Sequence, residues 1–209
     1  MKAKQISLSI LLCLLPILLG LILWNQLPEQ IPIQFNSAQQ VNTYAPKALA
    51  VFGLPVFFAA VDAFALFGIK TDPKANRHTK LFRVIGLWIC PFLCNLVLPI
   101  LFFISMGANI PIVLILSILL GLFIVILGNF LPKCPQNYTI GIKLPWTLHD
   151  EENWNYTHRL AGFVWVIGGI LMIINAFFQW LLITILLLVL LFALPILFSY
   201  LHYRRTQKG

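Results

Sequence analysis

Charge is what this chain has least of. Of its 209 residues only 10% are charged and only six are acidic, against roughly 25% charged in a soluble domain. With 60% hydrophobic residues and a mean hydropathy of +0.93, no fold in water could bury its apolar surface, so a soluble globular domain is excluded and the bilayer is the solvent. Cysteine is scarce too. Cys13, Cys90 and Cys94 lie in apolar runs and Cys134 beside a loop, which excludes a disulfide scaffold and reads as inert buried thiols. A Gly-rich phosphate loop, a Ser nucleophile elbow and paired catalytic carboxylates are all missing, so neither an enzyme nor a cofactor is signalled. The net charge of +8 would hint at nucleic acid in a soluble protein. In a membrane chain the basic residues set topology instead, and no direct nucleic acid binding is expected.

What is present is a series of apolar runs. A membrane span takes about 20 apolar residues, and six segments qualify: 6–27, 48–69, 82–105, 110–131, 160–178 and 181–202. The first follows Lys2 and Lys4 but is too long for a signal-peptide core, so it reads as a retained span. With the N-terminus inside, 13 of the 14 basic residues fall on the inner side: Lys2, Lys4, Lys70, Lys74, Arg77, Lys80, Arg83, Lys133, Lys143, Arg159, Arg204, Arg205 and Lys208. Only Lys47 falls outside, and this bias places both termini in the cytoplasm. Trp24 and Trp180 then mark the outer interface, Trp146 and Trp154 the inner one. The expected fold is an all-α integral membrane protein: one polytopic domain over 1–209, with six transmembrane helices and a short interfacial helix between spans four and five. Pro16, Pro55, Pro91, Pro99 and Pro195 lie inside spans and predict kinks whose freed carbonyls are re-satisfied by neighbours. Ala59 with Ala63 and Ser117 with Gly121 have the small-residue spacing of close helix packing. Asn95, Asn129 and Asn175 are expected to bond between helices.

Two polar segments interrupt the apolar runs. The outer one, 28–47, reads "PEQIPIQFNSAQQVNTYAPK". Pro28 and Pro32 prevent a helix, Ile31, Ile33 and Phe35 alternate, and Asn36-Ser37 signals a turn, so an extended recognition or lid segment is expected. The inner one, "NYTIGIKLPWTLHDEENWNYTHRLAG" (137–162), holds half of the four His and a third of the six Trp. Pro145 breaks the chain, Thr147 reads as an N-cap with Asp150 three residues on, and Asp150, Glu151 and Glu152 suit a first helical turn. A short helix over 148–157 is expected in the inner interface, with its acids in water. His149, Glu152 and His158 lack any metal-site spacing and are expected to be hydrogen-bonded structural residues. Asp62 is the one acid within a span and a functional-site candidate by default; an ion pair with Arg83 or Lys80 is the blander expectation.

The inner segment resembles the signature of the SdpI family in an Asn, Gly-Ile-basic, Pro-Trp-Thr-Leu, an acid, Trp and Thr-His-Arg. The outer segment is similar to the small N-terminal module of the same proteins, with Ile-Pro, an aromatic-Asn pair and a following Tyr and Lys. The modules correspond to 6–69 and 110–202. Departures are Gln34, Gln39 and Asn42 where relatives carry His, Gly and Asp, and Lys143 and Leu144 where they carry Arg and Thr. Lys143 keeps charge without bidentate geometry. The resemblance implies an immunity protein of the bacterial cytoplasmic membrane that protects against a secreted toxic peptide. It also implies a receptor that captures a small DNA-binding repressor. On this reading the inner partner residues are Asn137, Gly141, Lys143, Pro145, Trp146, Thr147, Asp150, Glu151, Glu152, Trp154, His158 and Arg159. The toxin-facing outer residues are Pro28, Ile31, Pro32, Phe35, Asn36, Tyr44 and Lys47. The competing expectations are a small transporter of a peptide or lipid with Asp62 as coupling acid, a sensor without immunity, and, last, an intramembrane enzyme.

Overall fold

The computed structural model describes residues 3–71, 73 and 80–206. Lys2, Lys74, Arg77 and Lys208, which enter the topology argument, lie outside the described residues, as does the side chain of Lys80. Six helices are long and apolar enough to cross a membrane: Ala3–Ile22, Leu49–Thr71, Arg83–Ser105, Ile112–Lys133, Glu151–Phe178 and Leu181–Thr206. The chain forms two compact units.

The first unit comprises Met1–Thr71 and Lys80–Ile112. It contains α1 (Ala3–Cys13), α2 (Leu15–Ile22), β1 (Gln30–Phe35), β2 (Val41–Pro46), a π-helical turn (Leu49–Gly53), α3 (Leu54–Thr71) and α4 (Lys80–Ser105). The spans are helical as expected, and the outer segment, expected to be extended, is an antiparallel hairpin pairing Ile31 with Ala45 and Pro32 with Tyr44, so the all-α class describes the spans alone. The reason is local: two prolines and alternating apolar residues leave extended backbone as the low-energy choice. Asn36 closes the turn, its Oδ1 accepting from the N–H groups of Ala38 and Gln40. The second unit, mainly Val113–Gly209, holds α5 (Ile112–Phe130), a 3₁₀ turn (Leu131–Lys133), α6 (Pro145–His149), α7 (Glu151–Phe178) and α8 (Leu181–Thr206). The expected interfacial helix over 148–157 is not a separate element. The chain breaks at Asp150, whose φ of −131° and ψ of 114° are extended, and everything from Glu151 onward is the start of the fifth span.

Within the second unit α5 and α7 meet backbone to backbone. A Cβ on Gly121 would stand 2.9 Å from the Gly169 carbonyl, and one on Gly128 would stand 3.0 Å from the Gly162 carbonyl. Two glycine pairs, each seven residues apart on its helix, thus provide the close approach expected of Ser117 with Gly121.

Three of the intramembrane prolines share one solution. Proline lacks the N–H that would bond the carbonyl four residues earlier, and hydrocarbon offers no water to replace it. Pro16 frees Leu12 O, which accepts from Asn95 Nδ2 at 2.8 Å. Pro91 frees Leu87 O, which lies 2.6 Å from Ser9 Oγ. Pro195 frees Leu191 O, which accepts from Trp165 Nε1 at 2.8 Å. In each case the donor sits on a different helix, so every kink is also an interhelical tie. The expectation for Asn175 is met at the α7–α8 turn, where its Nδ2 donates to Thr184 Oγ1 at 2.8 Å beside the left-handed Gln179 (φ 52°).

These ties predict a specific coupling. Trp165→Phe should destabilise the protein in detergent by about 1–3 kcal/mol, the cost of a buried unsatisfied carbonyl. In a Pro195→Ala background the N–H restored at that position should satisfy Leu191 O, and most of that cost should vanish. A double-mutant cycle on thermal unfolding measures it, and equal costs in both backgrounds would refute the pairing.

Candidate functional site

The inner segment is built in two tiers. Asn137, buried, begins the loop as an Asx turn: Oδ1 accepts from Thr139 N–H at 2.9 Å and Ile140 N–H at 2.6 Å, and Nδ2 donates to Pro135 O at 2.9 Å. Gly141 follows at φ +116°, and a Cβ there would lie 2.5 Å from His158 Nε2 and 3.0 Å from the Trp154 ring. Only glycine meets both demands. The next amide, Ile142 N–H, donates to His158 Nε2 at 3.1 Å, while His158 Nδ1–H donates to Trp154 O at 2.8 Å. An imidazole that accepts at Nε2 and donates at Nδ1 is fixed as one neutral tautomer, and a metal could not share that Nε2. His158 stacks on Trp154 with centroids 4.0 Å apart, and Trp154 Nε1 donates to Cys134 O at 2.8 Å. Trp154 is fully buried, so it is a core residue and not the interfacial anchor its type suggested. Burial pushes the Cys134 thiol up to about 11, against the opposing hydrogen bond from Asn137, which leaves it a thiol and a poor nucleophile.

The corner between α6 and α7 reassigns the expected cap. Thr147 is not an N-cap but the third residue of α6, and its Oγ1 reaches back to accept Leu144 N–H at 2.9 Å while donating to Ile142 O at 2.9 Å. Asp150 caps α7, accepting from Glu152 N–H at 2.9 Å and Asn153 N–H at 3.2 Å. His149 bonds Pro145 O through Nδ1, as a structural histidine should. One buried knot escaped the sequence reading. Ser199 of α8, fully buried, accepts from Trp146 Nε1 at 2.9 Å and from Thr157 Oγ1 at 2.7 Å, and donates to Asn153 Oδ1 at 2.9 Å. Its signal was available: it is a small hydroxyl deep in a strongly apolar run. Gln136 was missed as well; its Nε2 donates to Thr147 O and Leu148 O.

Of the twelve expected partner residues, Asn137, Gly141, Thr147, Trp154 and His158 therefore form a scaffold satisfied from within. Lys143, Pro145, Glu151, Glu152 and Arg159 are exposed, and Trp146 and Asp150 half-exposed. A cleft of about 300 Å³ opens among Pro145, Trp146, His149, Asp150 and Tyr203, with the Trp146 and Tyr203 rings 6.0 Å apart and nearly parallel.

In the first unit the outer residues divide likewise. Pro28 and Tyr44 are exposed, Phe35 and Asn36 half-buried, and Ile31 and Pro32 buried. Lys47, expected to face a ligand, turns inward. Its Nζ donates to Leu27 O at 3.1 Å and Trp24 O at 3.4 Å, pairs with Glu29 at 2.9 Å and lies 4.9 Å over the Trp24 ring. It anchors the hairpin to the end of the first span. Asp62 is fully buried, and its carboxyl meets Ser9 Oγ at 2.6 Å; the Lys80 side chain, one of its two expected partners, lies outside the described residues.

Residues 133–199 match the SdpI/YfhL protein family, and residues 11–59 match a domain of unknown function (DUF1648). The chain is 32% identical over 210 residues, 99% of its own length and 99% of the relative's, to Immunity protein SdpI of Bacillus subtilis (strain 168). No solved structure matches it.

The two tiers predict different responses. Gly141→Ala should open the loop, with faster hydrogen exchange at the Ile142 amide and loss of folded protein. Asp150→Ala should cost only about 1 kcal/mol, a lost cap, with faster exchange confined to the first turn of α7. Unchanged exchange at Ile142 in Gly141→Ala would show that the imidazole does not hold the loop.

Proposed function

As a member of the SdpI/YfhL family and a multi-pass bacterial membrane protein, the chain is, we propose, an immunity protein that protects its cell from a secreted toxic peptide by binding. The observation that carries this reading is the 32% identity over 99% of both chains to a protein named for immunity. A binding role is supported by how the polar side chains are deployed. The buried tier of the inner segment is committed to its own backbone, which leaves recognition to the exposed tier.

In this reading both termini are cytoplasmic, 6–69 is an N-terminal module that carries the outer hairpin, and 110–202 is the module that carries the inner segment. The hairpin offers Pro28, Phe35, Asn36 and Tyr44 to the peptide outside, while Lys47 holds the hairpin in place. Signalling is the second half of the proposal: the inner rim receives a small DNA-binding repressor. Asp150 is largely occupied as a cap, so Glu151 and Glu152 supply the free negative charge. The cleft beside Trp146 and Tyr203 accepts a side chain of the partner.

Killing of a sensitive bacterial strain by an Sdp-type peptide, with and without this chain, tests the first half. Survival should rise with wild-type protein and equally with Asp150→Asn, Glu151→Gln and Glu152→Gln combined. The same triple variant should lose capture of the repressor in a membrane pull-down. Killing unchanged by wild-type protein that is present in the membrane would overturn immunity. Undiminished capture by the variant would remove the acids from signalling.

A further inference from the structure

Asp62 sits in a proton count that does not close. Ser9 Oγ on α1 lies 2.6 Å from Asp62 Oδ2 on α3 and 2.6 Å from Leu87 O on α4. Both neighbours are acceptors if the acid is ionised, yet a hydroxyl carries one hydrogen. Leu87 O has a firm claim on it, because Pro91 supplies no N–H and hydrocarbon supplies no water. The other carboxyl oxygen, Asp62 Oδ1, is buried without a hydrogen-bond partner, a severe position for a charged oxygen. Ser9 and Asp62 are both fully inaccessible to solvent. The thiols of Cys13 on α1 and Cys90 on α4 lie close enough to sense Asp62. Neither can neutralise a carboxylate.

We propose that Asp62 is a proton-binding site: it is held as a carboxylic acid that donates to Ser9 Oγ, so that Ser9 donates its own hydrogen to Leu87 O. Two short oxygen contacts then have two protons, and no charge is buried. The ligand of this site is a proton, and its effect is to tie three spans together. α1 is fastened to α3 through the acid and to the proline kink of α4 through the hydroxyl. Removing the proton would leave one hydrogen for two acceptors, so either the Ser9–Asp62 or the Ser9–Leu87 contact must break. The proton is therefore a structural element of the first unit.

Infrared difference spectroscopy on the whole protein in lipid vesicles at neutral pH is the test. Of the other five acids, Glu29, Glu151 and Glu152 are exposed and Asp150 is half-exposed, while Asp72 lies outside the described residues. The expected result is a single protonated-carboxyl C=O stretch, absent in Asp62→Asn and shifted to higher frequency in Ser9→Ala, where its hydrogen-bond partner is gone. Asp62→Asn should keep wild-type folded yield, because its amide can also donate to Ser9. Asp62→Glu, in which the band should move but persist, provides a second assignment if the Asn variant fails to fold. Absence of the band in wild type, or its survival unchanged in Asp62→Asn, would overturn the proposal.

Discussion

A peptide group inside a bilayer has no water to turn to, and that single constraint organises the polar chemistry of this chain. Helices satisfy most of the backbone. What remains are the carbonyls that prolines release and the loops that cannot be helical, and many of the buried polar side chains go to these. Asn95, Ser9 and Trp165 serve the carbonyls freed by Pro16, Pro91 and Pro195. Lys47 serves the ragged end of the first span, and Trp154, His158, Thr147 and Gln136 serve the inner loop.

The same constraint separates scaffold from surface in the segment that carries the family signature. His158 illustrates the division. In sequence it stands in Thr-His-Arg, between a hydroxyl and a cation, and invites a chemical role. In the fold its two nitrogens are both occupied by backbone, one as donor and one as acceptor, which leaves nothing for a ligand. Its neighbour Arg159 is exposed. Adjacent members of one motif thus answer to different physics, packing for one and solvation for the other.

Much of the fold could be read from the residues because the relevant signals are local. Apolar runs of span length marked the six helices, and Pro28, Pro32 and Asn36 marked a non-helical outer turn. The prolines announced kinks and the need for donors. What could not be read was which donor, since Pro91 is answered from 82 positions away by Ser9 and Pro16 from 79 away by Asn95. Such pairings exist only once helices are packed. The corner at 147–150 was misread for a different reason. Thr147 and Asp150 are both able caps, and the choice between them turned on a five-residue helix started by Pro145. Trp154 was placed at the interface by its residue type, but the space left by Gly141 draws its ring inward. The glycine pairs of α5 and α7 lie seven apart, two helical turns, which is not the four-residue spacing that marks close packing in a sequence.

The absence of a separate interfacial helix has a mechanical meaning. α7 begins at Glu151 among acids that face water and runs unbroken to Phe178, roughly 42 Å at 1.5 Å per residue, which exceeds the thickness of the hydrocarbon layer. It carries no proline. A jointed helix would absorb a push on its polar end by flexing at the joint, whereas an unbroken one hands it on. Whatever takes hold of Glu152 or Arg159 therefore has a lever whose far arm is the Asn175–Gln179 turn, with the glycine contacts against α5 as its fulcrum.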